Sequence, residues 1–167
     1  QIFNALGCSV TKDVTVIVNP LPVPEITTNG STTFCQGENV TLTGNGGYTY
    51  TWSTTETTKS ITVDQTGTYT VTAQSIEGCS ADAQIDVIVN TLPDVQAPND
   101  ITICEGDEVT LTATGTAESY TWDNSITDGV AFIPTATTTY TVTGTNSTTG
   151  CQSTDQVIVT VNPLPSV

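Results

Sequence analysis

Arginine, histidine and methionine are missing from these 167 residues, and lysine occurs only twice. Against 17 Asp and Glu this leaves a formal net charge of −15. Each shortage excludes something. Two lysines cannot supply the basic footprint that a phosphate backbone requires, and an anionic membrane surface would repel the chain. Without histidine there is no imidazole metal ligand, no His-based acid–base pair and no Ser-His-Asp triad. No run approaches the ~20 apolar residues of a membrane-spanning helix. The chain also shows no secretory leader and begins with Gln, so a mature product or an excerpt of a longer protein is expected.

What is abundant is threonine, at 38 residues. Threonine is β-branched and suits the wet face of a strand. A solvated, disordered tail is the rival reading of an acidic, Thr-rich chain. It is disfavoured because the apolar residues are Val, Ile, Leu, Tyr and Trp set in short alternating runs. Together these features point to a secreted β protein.

The chain repeats itself at a period of 69–72 residues. Gly7-Cys8-Ser9, Gly78-Cys79-Ser80 and Gly150-Cys151-Gln152 each precede a Val/Ile-rich run that ends in Asn-Pro-Leu-Pro or Asn-Thr-Leu-Pro. Phe34-Cys35-Gln36-Gly37-Glu38 matches Ile103-Cys104-Glu105-Gly106-Asp107. Tyr50-Thr51-Trp52 matches Tyr120-Thr121-Trp122, and Thr68–Thr72 matches Thr139–Thr143. The phase divides the chain into residues 1–22 (the last third of an incomplete repeat), whole repeats over 23–93 and 94–165, and residues 166–167 opening another. The stripe Val14, Val16, Val18 in the first piece matches Ile85, Val87, Val89 and is expected to need protein beyond this sequence to cover it.

Within each repeat the apolar period is two, and strands of 5–8 residues are separated by Gly, Asn, Asp and Pro. This predicts an all-β chain of small antiparallel sandwiches. The alternation assigns Tyr69, Tyr140, Val87 and Val159 to the core and turns Thr51, Thr70, Thr121 and Thr141 outward. About 70 residues is little for a sandwich, so cross-links are expected. Each whole repeat has one Cys before its first Val-Thr-Leu-Thr strand and one before its last strand. That phase predicts one disulfide per repeat, Cys35 with Cys79 and Cys104 with Cys151, at roughly 4 kcal/mol each. Cys8 is then unpaired within this chain, its partner lying upstream. Metal binding by the cysteines is the competing reading; it lacks both a close Cys-x-x-Cys pair and a histidine.

The stretch Tyr50–Val63, followed by Gly67-Thr68-Tyr69-Thr70-Val71-Thr72 and Gly78-Cys79, resembles the immunoglobulin-like and PKD-like repeats of very large Bacteroidetes cell-surface proteins. The second repeat resembles them as closely through Ile103–Asp107, Thr139–Gly144, Gly150-Cys151 and Asn162–Pro165. Such repeats occur in tandem in secreted adhesins, including gliding-motility adhesins exported by the type IX system. The resemblance implies tandem immunoglobulin-like sandwiches in an extracellular, cell-surface stalk or spacer that presents a distal module. It also places Trp52 and Trp122 on a strand like strand C of such a sandwich, where a Trp usually fills the core. An exposed aromatic platform for surface glycans is the alternative. No type IX C-terminal sorting domain is visible, so that export route rests on the resemblance alone.

Prolines at the junctions (Pro20, Pro22, Pro24; Pro93; Pro163, Pro165) fix φ and predict an extended rod of domains roughly 35 Å long. Neighbouring repeats of the same polypeptide or filament are the expected partners, with surface glycans a further candidate and neither nucleic acid nor membrane insertion expected. A self-assembling extracellular filament, in which residues 1–22 complete a domain by strand addition, is the other architecture the pattern allows. No cofactor is expected. Calcium is the one option the carboxylates raise, through Glu38, Asp107 and Glu108 near a Gly turn and Asp94 and Asp100 between the repeats. No Asp-x-Asp-x-Asp-Gly loop is present, and the first junction offers only Glu25. Asn29, Asn39 and Asn146 head Asn-x-Ser/Thr sequons. Nothing marks a carboxylate pair held in a cleft, so the chain reads as a non-enzyme.

Overall fold

The Thr/Val alternation becomes strand after strand, with no helix among the described residues. The computed structural model describes residues 2–3, 6, 8–10 and 12–166. Gln1, Asn4, Ala5, Gly7, Thr11 and Val167 lie outside the description, and with them Gly7 of the first Gly-Cys block and one end each of the 1–22 and 166–167 segments.

The strands are β1 (Ile2–Phe3), β2 (Ser9–Val10), β3 (Glu25–Thr28), β4 (Thr33–Cys35), β5 (Val40–Asn45), β6 (Thr49–Trp52), β7 (Ser60–Val63), β8 (Gly67–Gln74) and β9 (Ser80–Asn90). The second repeat continues with β10 (Val95–Gln96), β11 (Ile101–Cys104), β12 (Val109–Thr110), β13 (Thr114–Gly115), β14 (Ser119–Trp122), β15 (Ala131–Phe132), β16 (Thr138–Thr145) and β17 (Gln152–Asn162).

The first repeat forms a three-stranded sheet β3-β5-β7 and a four-stranded sheet β4-β9-β8-β6. The second repeats the larger sheet as β11-β17-β16-β14 and reduces the smaller to the pairs β10-β13 and β12-β15. This order, with a first strand divided between two sheets and the rest antiparallel, is immunoglobulin-like. The short strands β4 and β11 run parallel to the ends of β9 and β17, setting Cys35 opposite Asn90 and Cys104 opposite Asn162.

The core follows the period of two. Val40 and Leu42 are buried on β5, Tyr69, Val71 and Ala73 on β8, and Tyr140 and Val142 on β16. In the second repeat Val95, Val109, Leu111, Trp122, Tyr140, Val142, Val157 and Val159 pack as one cluster, and Phe132 meets the Tyr140 ring edge-on at 5.3 Å. Thr51 and Thr121 face water, while Thr70 and Thr141 are half-buried.

By its contacts the chain falls into two compact units. One comprises Gln1–Asn29, Thr41–Thr62 and Thr68–Asp86; the other comprises Gly30–Val40, Val63–Gly67 and Val87–Val167. The contact boundary therefore runs through the first sequence repeat. Residues 12–24 lie in no strand, and Val14, Val16 and Val18 are exposed where their counterpart Val87 is buried. No described strand lies beside them, and a strand without a neighbour has no ladder to join.

Candidate functional site

The cysteines are the most chemically distinctive groups in the chain, and their turns are built to a pattern. Cys35-Gln36-Gly37-Glu38 closes through the Glu38 N–H donating to the Cys35 carbonyl at 3.1 Å, with Gly37 at φ 95°. A positive φ at the third position alone is a type II turn, which favours glycine there. The Glu38 carboxylate then accepts from the Cys35 N–H at 3.1 Å, and the Gln36 N–H donates to the Asn90 carbonyl at 2.8 Å. The second repeat reproduces every feature. Asp107 N–H bonds the Cys104 carbonyl at 3.1 Å, Gly106 has φ 90°, Asp107 Oδ2 accepts from Cys104 N–H at 3.1 Å, and Glu105 N–H donates to Asn162 at 2.9 Å.

The other cysteine type closes a hairpin. Ser75 N–H donates to the Cys79 carbonyl at 2.8 Å, and Asn146 N–H to the Cys151 carbonyl at 2.9 Å. The preceding Gly78 and Gly150 have φ 85° and 74°. A left-handed glycine at this point delivers the chain into the last strand, β9 or β17.

The structure corrects the pairing expected from the sequence phase. Cys35 bonds Cys151, with Cα atoms 5.6 Å apart and a sequence separation of 116. It does not bond Cys79, and Cys104 does not bond Cys151; Cys79 and Cys104 are free thiols. The reason is strand length. Cys104 lies opposite Asn162, at the far end of β17, while Cys151 precedes the start of that strand. Eleven residues at ~3.3 Å each hold the two about 35 Å apart, where a disulfide needs Cα atoms within about 7 Å. Strand β9 has the same eleven residues between Cys79 and the Cys35 register position. The one described bridge therefore joins one sequence repeat to the other, and both of its residues lie in the same compact unit. Cys8 is exposed and takes no part in it.

The two tryptophans are 2% and 7% exposed at Trp52 and Trp122. Neither ring presents a face to a glycan. Each indole N–H is satisfied six residues on, by the Thr58 carbonyl at 2.9 Å for Trp52 and by Asp128 Oδ1 at 2.8 Å for Trp122. Asp128 is a residue that sequence reasoning missed. It also accepts from the Ala113 N–H at 2.8 Å, between β12 and β13.

Four of the carboxylates that raised calcium accept hydrogen bonds from within the chain. Besides Glu38 and Asp107, Asp94 accepts from the Gln96 side chain at 2.9 Å and Asp100 from the Ile158 N–H at 2.8 Å. Among the described residues no three Cys, Asp or Glu side chains converge on a possible metal site. Asp155 accepts from the Ala97 N–H at 2.8 Å, and that bond, with a second from the Gln156 N–H, holds its carboxyl below the usual range.

No protein-family model matches the sequence, and no curated protein matches it. Solved structures to which it is similar include the insect immune protein hemolin, at 18% identity over 91% of this chain and 49% of that one, TM-score 0.46. Another is the three N-terminal domains of the bacteriophage RB49 outer capsid protein Hoc, at 19% identity over 84% and 59%, TM-score 0.42. A third is murine CEACAM1b, at 15% identity over 85% and 100%, TM-score 0.37. The chain thus spans less than two thirds of the first two.

Proposed function

We propose that this chain is a segment of the structural stalk of a large extracellular adhesin, a run of immunoglobulin-like repeats that holds a distal module away from the cell. The observation that carries the reading is the Cys35–Cys151 bridge, because within one compact unit it ties one sequence repeat to the other. Such a link resists relative movement of neighbouring repeats and does no chemistry. A disulfide and a net charge of −15 suit an oxidising, extracellular setting and a soluble array. The buried tryptophans and locally bonded carboxylates support a non-catalytic, non-lectin role. Export by the type IX system and a part in gliding adhesion follow from the resemblance to Bacteroidetes repeats.

A self-assembling filament is the second reading. What favours it is the exposed run Val14–Val18, whose alternation is that of a strand and which pairs with nothing described. Sedimentation and negative-stain microscopy of the oxidised protein separate the two. The stalk reading expects extended monomers at every concentration. Concentration-dependent fibres would replace it with the filament, and compact particles would overturn both.

A further inference from the structure

We infer that the Cys35–Cys151 bridge is one rung of a repeating series, and that Cys104 is the receiving half of the next rung, taking the hairpin cysteine of another repeat of this type. The inference rests on the tandem-repeat reading above but not on a stalk role. Its first support is equivalence with a cysteine that is bridged. Cys104 shares with Cys35 the parallel pairing to the end of the last strand and the opposing Asn. It shares the type II turn with its glycine near φ 90°, the acidic side chain on its own N–H, and the following N–H on the Asn carbonyl. Cys35 in this setting is bonded, whereas Cys104 is exposed with a free thiol.

The second support comes from the other cysteine type. Cys79 stands where Cys151 stands, on the hairpin before the last strand. Its Sγ lies 4.0 Å from the Asn19 carbonyl. Asn19 opens the Asn-Pro-Leu-Pro motif, as Asn90 and Asn162 open theirs, and those two carbonyls neighbour Cys35 and Cys104 in register. The hairpin sulfur of one repeat is thus already placed beside the Asn that, in a complete preceding repeat, lies opposite a Cys104-type cysteine. The distances within a repeat leave Cys104 no partner of its own, because its own hairpin cysteine is a full strand length away and is bonded to Cys35.

The chemistry balances as thiol–disulfide exchange. Cys104 thiolate attacks oxidised glutathione and releases one glutathione; the incoming hairpin thiolate then attacks the mixed disulfide and releases the second. Two protons and two electrons leave the protein thiols, and one glutathione disulfide becomes two thiols.

The test extends the full chain after Val167 with a second copy of residues 96–167, because Ser166-Val167 matches Asp94-Val95 in phase. This gives Cys104 a following hairpin in the same polypeptide. After refolding in a glutathione buffer, non-reducing peptide mapping should find Cys104 bonded to the added hairpin cysteine, with Cys35–Cys151 intact. Iodoacetamide labelling of Cys104 should fall roughly tenfold or more from its level in the original chain, since a bridged sulfur has no thiolate to react. In the same extended chain C104S should leave the added hairpin cysteine open to the reagent. Cys104 still labelled while Cys35–Cys151 is formed would overturn the inference. So would Cys104 bonded to Cys151 of its own repeat, or failure of Cys35–Cys151 itself to form. A stalk role could fail in the microscopy above with this result unchanged.

Discussion

The two complete repeats bury the same tryptophan by different means. In the first, β5 runs unbroken from Val40 to Asn45 within its sheet, and Trp52 donates to a backbone carbonyl. In the second, the matching strand is split into β12 and β13, although Leu111 and Ala113 between them stay buried. There one carboxylate, Asp128, accepts both the Trp122 indole N–H and the Ala113 N–H, while Gly129 N–H donates to Leu111 at 2.8 Å. The difference teaches that the core pattern and the larger sheet are the fixed features of the repeat. The smaller sheet can exchange ladder bonds for a single well-placed side chain, provided each buried donor is still met.

The largest effect should come from what the two repeats share. C35S removes a closed loop of over a hundred residues, worth about 5 kcal/mol in the chain-entropy account, so thermal unfolding should begin well below that of the oxidised wild type. Reductant should bring the wild type to the same curve. An unchanged curve would mean that the bridge adds nothing.

D128A comes next, because it strands two donors at once. At about 1–3 kcal/mol for each unmet donor, the loss should be roughly 2–6 kcal/mol, and hydrogen exchange should localise it to residues 94–165. T58A is the matched control in the first repeat. The Trp52 bond uses the main-chain carbonyl, so this substitution removes only the exposed Thr58 Oγ1 bond to the Ser60 carbonyl at 2.7 Å and should cost under about 1 kcal/mol. Equal losses from D128A and T58A would break the comparison.

The smallest effect concerns acid. The Asp155 carboxyl titrates below its unfolded value in the folded protein, first through the Ala97 N–H and then through that of Gln156. Its contribution is therefore present above the unfolded value of about 3.9 and fades as pH falls through the lower folded value. The stability difference between wild type and D155N should be present at neutral pH and close as the pH drops below about 4. A difference that widens with acid would contradict this.

Much of this was legible in the sequence, and the reasons are local. Alternation of Val, Tyr and Trp with Thr is a direct image of strand faces, so an all-β chain followed from it. The cysteine pairing was not legible, because phase along a repeat says nothing of direction in space. Cys35 and Cys79 each precede a strand, but those strands start at opposite ends of the sandwich. The overlooked signal was Thr33-Phe34-Cys35, three residues that pair parallel with the end of β9. Asp128 was hidden for a similar reason: an Asp beside Gly129 reads as a turn, and only the fold brings it to Trp122.

The central claim is that disulfides in this chain tie repeat to repeat. Non-reducing proteolysis of the refolded protein, with the linked peptides identified by mass spectrometry, tests it most directly. The account predicts a Cys35–Cys151 pair with Cys79 and Cys104 alkylated. Recovery of Cys35–Cys79 and Cys104–Cys151 would contradict it.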